Sequence, residues 1–316
     1  MILIIGGSGF IGSRLLMLFK HQSVSNFDIE DSLYFNSITI KGDIKSKESI
    51  QIPGNVKTIV LLAAEHRDDV SPASLYYDVN VQGTKNVLEK MDEYGIKNLI
   101  FTSTVAIYGL NKDHPNEEHI PDPFNDYGRS KLMAENLIKE WFEKSPKGKS
   151  VTIIRPTVVF GEHNRGNVYN LIKQISDRKF IMIGNGNNKK SLAYVGNIAA
   201  FIKHRVETGV PGFDIFNYAD SPDYSMQVLV KKLSNYLQVN YVKFSIPYIV
   251  GLLSGIVFDL LAFILRRKLP ISYVRVKKFC ANTRYNATKA HNEFDAPFSL
   301  DEGFERTINN DFSSRK

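Results

Sequence analysis

The chain has 316 residues, of which 43% are hydrophobic and 23% charged, an ordinary composition for a globular protein. This excludes an intrinsically disordered chain and a collagen-like repeat, and a single cysteine cannot form an internal disulfide. The formal charge of +7 favours anionic partners, but Lys and Arg are spread along the chain, so charge alone does not separate diphosphates, nucleic acid and an anionic membrane.

Short apolar runs alternate with longer stretches of helical period through the first two thirds of the chain. The predicted strands are residues 2–5, 37–40, 58–62, 98–102, 151–155 and 180–183, with a weakly marked strand near residues 25–28. The predicted helices are residues 10–20, 73–94 and 126–144. This alternation predicts an α/β fold: a Rossmann-like, doubly wound parallel sheet with helices on both faces.

A glycine-rich turn follows the first predicted strand directly and opens the first predicted helix. Gly6, Gly9 and Gly12 are spaced as GxxGxxG. Such a turn lets the backbone approach a pyrophosphate, and the N–H groups at the helix N-terminus bind it. The pattern therefore predicts a dinucleotide site that includes Phe10 and Ile11.

An acidic residue at the end of the second strand would bind the adenosine ribose hydroxyls and would favour NAD over NADP. Asp28 follows Gly6 by 22 residues and fits this role, with Glu30 and Asp31 as alternatives. Asp43, followed by Ile44 after the third strand, is the candidate for the adenine edge. We expect a dinucleotide-binding domain over residues 1–184, to which some later segments return, and a smaller, mainly substrate-binding region over residues 185–316.

Three side chains form a candidate catalytic group. Tyr127 and Lys131 are four residues apart on a predicted helix and share one face. An ammonium beside a phenol lowers the phenol pKa from about 10 towards neutral pH, which makes Tyr127 a usable base. Thr104 follows the strand over residues 98–102, at the sheet edge where doubly wound folds bind ligands, and its hydroxyl can relay a proton.

These motifs together resemble the extended short-chain dehydrogenase/reductase family, which includes NAD-dependent epimerases, dehydratases and reductases acting on sugar nucleotides. The resemblance covers nearly the whole chain, with matching motifs at residues 6–12, 62–64, 80–84, 102–109, 127–131 and 155–156. It implies NAD as the cofactor, a homodimer, and catalytic positions for Thr104, Tyr127 and Lys131. It places these further residues at the cofactor: Leu62, Ala63, Ala64, Asn80 and Pro156.

Two departures narrow the choice within the family. Its dehydratases carry an Asp-Glu pair after the catalytic Thr, where this chain has Val105 and Ala106, so epimerisation or ketone reduction is favoured. Many of its nucleotide-sugar epimerases carry Asn three residues after the Arg of the Arg-Pro pair, where this chain has Val158. This second departure argues against standard nucleotide-sugar recognition.

Residues 189–198 resemble a bacterial polysaccharide subgroup that acts on N-acetylamino sugars. Residues 63–83, 155–172 and 272–289 resemble members that invert C4 of N-acetylglucosamine on undecaprenyl diphosphate. This resemblance implies an isomerase of O-antigen or surface-polysaccharide synthesis, in which Tyr127 removes the O4 proton while C4 is transiently oxidised. For the substrate we expect Asn167 and three cations that hold the diphosphate: Arg165, Lys190 and Lys277.

Three alternatives stay open on the sequence. A soluble 4-epimerase of UDP-N-acetylglucosamine or UDP-glucose would need no lipid. A 4-ketoreductase would use the same catalytic group but consume NAD(P)H. A cofactor-binding sensor would keep the glycine turn and tolerate loss of Tyr127. Histidine spacing predicts no metal site, and the aromatic and basic residues show no nucleic-acid pattern.

Residues 246–265 form an apolar stretch whose one charged residue is Asp259. Its length matches a bilayer span, but a carboxylate is costly at mid-bilayer. Basic residues follow: Arg266, Arg267, Lys268, Arg275, Lys277 and Lys278. The pattern predicts either a membrane-facing segment over residues 246–278, lying on an anionic surface, or a buried core helix. We expect a cytoplasmic chain with no leader peptide and with peripheral contact to the inner face of the cell membrane.

Overall fold

The computed structural model describes residues 1–19, 23–67, 70–110, 112–240, 244–265, 267 and 272–312. Its strands are β1 (Ile2–Ile5), β2 (Val24–Asp28), β3 (Thr39–Lys41), β4 (Thr58–Leu61), β5 (Asn98–Thr102), β6 (Ser150–Pro156), β7 (Val158–Phe160), β8 (Met182–Ile183), β9 (Lys189–Tyr194), β10 (Gly212–Tyr218), β11 (Asp220–Ser225) and β12 (Ser245–Ile246). Its helices are α1 (Phe10–Leu16), α2 (Ser74–Tyr77), α3 (Gly83–Glu93), α4 (Asp126–Lys144), α5 (Asn167–Ser176), α6 (Val195–Thr208), α7 (Met226–Tyr236), α8 (Tyr248–Leu265), α9 (Tyr273–Cys280), α10 (Thr288–Glu293) and α11 (Leu300–Phe312).

The main sheet has seven of the described strands, all parallel, in the order β10-β6-β5-β4-β1-β2-β3. The chain runs outward from β1 to β3 and then returns to the other side of β1 with β4. This reversal is the switch point of a doubly wound sheet, and ligands bind outside the carboxyl ends of its strands. The predicted fold class is confirmed.

Both faces of the main sheet are buried, because successive residues of a strand point to opposite faces. In β1, Ile4 packs into one apolar cluster with α1 and α6, whereas Leu3 and Ile5 pack into another with α3 and α4. Burial on both sides fixes the strand ends at a common level. The loops after β1, β2, β4, β5 and β6 therefore present their side chains along one edge.

Three predicted elements differ from the structure. The helix predicted over residues 10–20 ends at Leu16, and Lys20 lies outside the described residues. The strand predicted over residues 37–40 begins as a 3-10 turn, Asn36–Ile38, and only then becomes β3. The strand predicted over residues 180–183 is shortened to β8, which pairs with β12 in a separate sheet because β10 occupies the place beside β6.

The single helix predicted over residues 73–94 contains a π-helical stretch, Asp78–Gln82, between α2 and α3. Asn80 lies in this stretch and is buried. Its side chain accepts the N–H of Glu65 at 2.9 Å and donates to the hydroxyl of Ser130 at 2.9 Å. The wider turn thus directs Asn80 towards the sheet edge, where it ties the loop after β4 to α4.

A three-stranded sheet of β7, β9 and β11 packs beside the main sheet. It joins β7, which precedes residue 184, to two strands that follow residue 184, while β10 belongs to the main sheet. The chain therefore crosses between the two layers more than once. The division into two domains at residue 184 stays a prediction.

Helix α8 is formed by the apolar stretch and lies on the surface. Its mean hydropathy is 2.3 and only 11% of it is buried, so the prediction of a buried core helix is wrong. By length and composition alone it qualifies as a helix that could cross a membrane. It contacts α9 through Gly255, where a Cβ would lie 2.7 Å from the Cα of Tyr273. The carboxylate of Asp259 accepts the N–H of Tyr273 at 3.0 Å.

Gly109 should be more sensitive to substitution than another glycine of similar φ. Gly109 has a φ of 79° and a Cβ there would overlap the carbonyl oxygen of Asp122, whereas Gly95 has a φ of 66° and no atom within 4 Å of the added Cβ. We expect Gly95→Ala to lower the free energy of unfolding by about 1–2 kcal/mol, the cost of a left-handed backbone. Gly109→Ala should lose about 1–3 kcal/mol more, measured by urea unfolding, because of overpacking and because its φ of 79° and ψ of −158° are nearly restricted to glycine. Equal losses would contradict this packing.

Candidate active site

A cavity of about 1820 Å³, here called the main cavity, opens at the carboxyl edge of the main sheet. It exceeds the roughly 300–1,000 Å³ of a site for one small ligand, so it has room for a dinucleotide and a second ligand. Most predicted site residues line it: Gly6, Gly9, Phe10, Ile11, Gly12, Asp28, Asp43, Ile44, Leu62, Ala63, Ala64, Thr104, Tyr127, Pro156, Asn167 and Lys190.

The glycine turn fits the close approach of a pyrophosphate. Gly6 has a φ of 89°, and a Cβ there would overlap the backbone of Ala63 in the neighbouring loop. At Gly9 an added Cβ would meet only the carbonyl oxygen of Gly6, 3.3 Å away, and it would otherwise point into open space. The outer side of the turn is therefore bare backbone facing the main cavity, as dinucleotide binding requires.

Asp28 stands where the ribose-binding acid is expected. Its carboxylate accepts the N–H of Ser8 at 2.8 Å and the N–H of Glu30 at 3.0 Å, which fixes it against the glycine turn. Glu30 also lines the main cavity, whereas Asp31 pairs with Lys41 at 3.3 Å and does not line it. The geometry favours Asp28 among the three acids.

Thr104 and Tyr127 reach the main cavity from two different elements. Thr104 caps the 3-10 turn Val105–Tyr108, and its hydroxyl oxygen accepts the N–H of Ala106 at 3.1 Å. Tyr127 is the second residue of α4, whose N-terminus is capped by Asn125 through the N–H of Gly128 at 2.9 Å. The fold thus brings a hydroxyl and a phenol to one cavity.

Lys131 lies behind the cavity wall rather than in its lining. It is buried, and its ammonium lies 4.0 Å from the centre of the Phe101 ring. Burial lowers the Lys131 pKa to about 7, and the negative charge of Glu135 acts in the opposite direction. Near neutral pH the side chain therefore changes between ammonium and amine.

A buried ion pair connects α4, which carries the candidate catalytic residues Tyr127 and Lys131, to β6. Arg155 on β6 donates to both carboxylate oxygens of Glu135 on α4, at 3.0 and 2.6 Å. Arg155 also donates to the hydroxyl of Tyr108 at 2.7 Å, and Tyr108 donates to Asn217 at 2.8 Å. The network holds α4, β6 and the turn after β5 in one arrangement.

Arg165 and Lys277 do not line the main cavity, and their expected role at the diphosphate stays a prediction. Arg165 pairs with Asp311 at 3.1 Å and stacks on Tyr169, with the centre of its guanidinium 4.3 Å from the ring centre. Lys277 lines a separate cavity of about 640 Å³ beside Tyr248. Asn80 does not line the main cavity either, because its side chain is hydrogen-bonded to Glu65 and Ser130.

Two other cations of α9, Arg275 and Lys278, line the main cavity together with Lys190. They are three residues apart and therefore share one face of α9. This spacing could have shown that they share a face that does not include Lys277. The ammonium of Lys190 donates to the carbonyl oxygens of Lys278 at 3.1 Å and Ala281 at 2.7 Å. Burial lowers the Lys190 pKa to about 8. Arg266 and Lys268 lie outside the described residues.

Ser103 and Thr157 also line the main cavity and were not predicted. Within the described part of the chain, their buried hydroxyl oxygens have no hydrogen-bond partner. Buried polar atoms are nearly always satisfied, so a bound ligand is the natural partner. Ser103 adjoins Thr104 and Thr157 follows Pro156, so adjacency to the predicted residues was the available signal.

Comparisons with known proteins agree with this geometry. A family model described as the NAD dependent epimerase/dehydratase family matches residues 2–219. The chain belongs to this family. The resemblance found in the motifs is therefore confirmed, and the family is NAD-dependent.

A relative with full coverage is N-acetyl-alpha-D-glucosaminyl-diphospho-ditrans,octacis-undecaprenol 4-epimerase of Escherichia coli O157:H7, with 50% identity over 100% of this chain and 96% of that protein. Among solved structures, UDP-glucose 4-epimerase of Thermotoga maritima with UDP-glucose is similar with a TM-score of 0.76 and 20% identity, over 100% and 99% of the two chains. UDP-glucuronic acid 4-epimerase of Bacillus cereus with NAD has a TM-score of 0.74 and 20% identity, over 98% and 97%. These structures share the fold.

The Arg155–Glu135 pair should dominate stability near the site. Glu135→Gln leaves a buried guanidinium without its carboxylate, and we expect it to lower the free energy of unfolding by about 3–5 kcal/mol. Glu140→Gln, an exposed position on the same helix, should change it by less than about 0.5 kcal/mol. Urea unfolding monitored by circular dichroism measures both, and similar values for the two variants would contradict this role.

The low Lys131 pKa should make stability depend on pH. The pKa of Lys131 is about 7 in the folded chain and 10.5 ordinarily. Between these pH values the unfolded chain binds more protons than the folded chain, so the free energy of unfolding increases as pH rises. The free energy of unfolding of the parent chain minus that of Lys131→Met should rise by roughly 1 kcal/mol per pH unit from pH 7 to 10. Lys139→Met, at an exposed position of α4, should give a flat difference. A flat difference for Lys131→Met would refute the lowered pKa.

Proposed function

We propose that the protein is an NAD-dependent 4-epimerase that converts N-acetylglucosamine to N-acetylgalactosamine on undecaprenyl diphosphate. The observation that carries this proposal is the 50% identity to the E. coli enzyme whose name states that activity. Because the match covers 100% of this chain, it extends through α8 and α9 as well as the sheet. Val105 and Ala106, which supply no acid or base beside Thr104, support epimerisation over dehydration.

The residues of the main cavity suit this chemistry. The glycine turn and Asp28 would hold NAD, which would supply a reversible hydride acceptor for C4 of the sugar. Tyr127 takes the proton from O4 as C4 becomes a ketone, and gives it back after the sugar has turned over. The hydroxyl of Thr104 donates a hydrogen bond to O4 and positions it. Lys131, when protonated, stabilises the phenolate of Tyr127. The sugar leaves at its original oxidation state.

The substrate diphosphate is assigned to the three cations of the main cavity. Lys190 is held by two carbonyl oxygens near the end of α9, and Arg275 and Lys278 lie on the cavity side of that helix. An Arg can bind phosphate oxygens with two parallel hydrogen bonds, and two ammonium groups add charge. This set replaces the expected Arg165 and Lys277.

A side-by-side assay tests the proposal. The protein with NAD should invert C4 of N-acetylglucosaminyl-diphospho-undecaprenol much faster than that of UDP-N-acetylglucosamine, scored by the configuration of the released sugar. Turnover of the UDP sugar alone would favour the soluble epimerase. A requirement for stoichiometric reduced cofactor would favour the ketoreductase.

In the same assay, Tyr127→Phe should lower kcat by about 10²–10⁴-fold, the usual contribution of a general acid–base group. NAD binding, followed by quenching of protein fluorescence, should persist because the glycine turn is unchanged. Tyr94→Phe, at an exposed position, should retain full activity. Substantial activity in Tyr127→Phe would refute the assignment of the base.

We also propose that α8 lies on the cytoplasmic face of the membrane, where a lipid-linked substrate is found. Apart from Asp259, the exposed side chains of α8 are apolar or aromatic, including Ile256 and Phe263, and Arg267 and Lys277 are exposed nearby. Apolar side chains enter the acyl boundary, and basic ones contact anionic headgroups. The expected homodimer stays a prediction that light scattering measures.

Sedimentation with vesicles of phosphatidylethanolamine and phosphatidylglycerol tests this placement. The parent chain should bind. The double variant Ile256→Asp/Phe263→Asp should bind at least about tenfold more weakly, because it loses two apolar side chains that would be buried in the bilayer. The control Leu33→Asp changes a side chain that is 85% exposed in another part of the molecule and should bind normally. Equal binding by the double variant would contradict the placement.

A further inference from the structure

One end of the main cavity is lined by apolar side chains that remain largely exposed. Val158 is 41% exposed, Ile181 46% and Val274 51%, and all three line the cavity. A diphosphate or a sugar would leave these side chains in water. A ligand that carries hydrocarbon at this position would cover them and gain free energy from the burial.

This apolar lining continues to α8. Ile183 lines both the main cavity and the smaller cavity at the foot of α8. A Cβ at Gly251 would lie 2.5 Å from a methyl group of Ile183, so the helix packs directly on this side chain. Val274 follows Tyr273, the residue whose backbone contacts α8 at Gly255. An apolar surface therefore runs from inside the cavity to the buried face of α8 at Gly251 and Gly255.

The three cations of the cavity belong to the same end. Arg275 follows Val274 directly on α9, and Lys278 is one helical turn further on. Lys190 is joined to this helix by its hydrogen bond to the carbonyl oxygen of Lys278 at 3.1 Å. Cations thus stand beside an apolar wall, which is the arrangement that an anionic head attached to a hydrocarbon chain requires.

We propose that Val158, Ile181, Ile183 and Val274 form a subsite for the first isoprene units of the lipid carrier. This carrier subsite lies between the diphosphate cations and α8, so the remainder of the chain passes along α8 into the bilayer. The inference rests on the proposed function, because it assumes a prenyl-diphosphate substrate. It explains how a water-exposed cavity selects a lipid-linked sugar independently of the membrane.

The test uses soluble substrates in the absence of vesicles and detergent. N-acetylglucosamine linked through diphosphate to one, two or three isoprene units is assayed for C4 inversion. We expect KM to fall by about tenfold or more from one unit to three while kcat is unchanged, because each unit buries further apolar surface. Val274→Ser should abolish most of this fall in KM and retain kcat.

Val210→Ser is the matched control, since Val210 is 53% exposed and lies outside the main cavity. It should keep the full dependence of KM on chain length. If all three substrates are inverted with the same KM, the carrier subsite is overturned and the proposed function is unaffected. Turnover of UDP-N-acetylglucosamine with no turnover of any prenyl substrate would overturn both. Loss of the chain-length dependence in Val210→Ser as well would also overturn the assignment to Val274.

Discussion

The site depends on one buried ion pair, Arg155 with Glu135. Both side chains are 5% exposed, and the pair joins β6 to α4 at 2.6 Å. Separating two such charges in the interior is costly, so the pair fixes the position of α4 against the sheet. Arg155 reaches Tyr108 as well, and through it the turn that Thr104 caps. The candidate residues Thr104 and Tyr127 are therefore positioned by a pair that does not itself line the main cavity, and Glu135 also opposes the loss of charge on Lys131.

The second constraint is the attachment of α8 to α9. A carboxylate in an apolar surface helix is unfavourable unless it accepts a hydrogen bond. Asp259 accepts one from the N–H of Tyr273 at the start of α9. Two glycines of α8 allow the close approach. Since α9 carries Arg275 and Lys278 into the main cavity, the position of α8 is tied to that of these two cations. The proposed membrane contact and the proposed diphosphate site therefore involve one pair of helices.

Local sequence patterns predict six of the seven described strands of the main sheet, and most of the predicted site residues line the main cavity. The glycine turn, Thr104 and Tyr127 each stand at a strand or helix boundary that the alternation of elements reveals. Strand β10 was missed because Asp214 and Asn217 interrupt its apolar pattern, and their partners, Arg205 at 3.0 Å and Tyr108 at 2.8 Å, are known only from the fold. Sequence alone could not show which cations of α9 reach the main cavity, because this depends on the rotational orientation of a short helix, and Lys278 lines the cavity whereas Lys277 does not.

The proposed transient oxidation of the sugar at C4 can be tested directly. N-acetylglucosaminyl-diphospho-undecaprenol deuterated at C4 is incubated with the protein and a stoichiometric amount of NAD, and the N-acetylgalactosamine product is analysed by mass spectrometry and NMR. Transient oxidation predicts that the deuterium is retained at C4 with the configuration inverted, and that no reduced cofactor is released. Loss of the label to solvent, or inversion only when reduced cofactor is supplied, would contradict it.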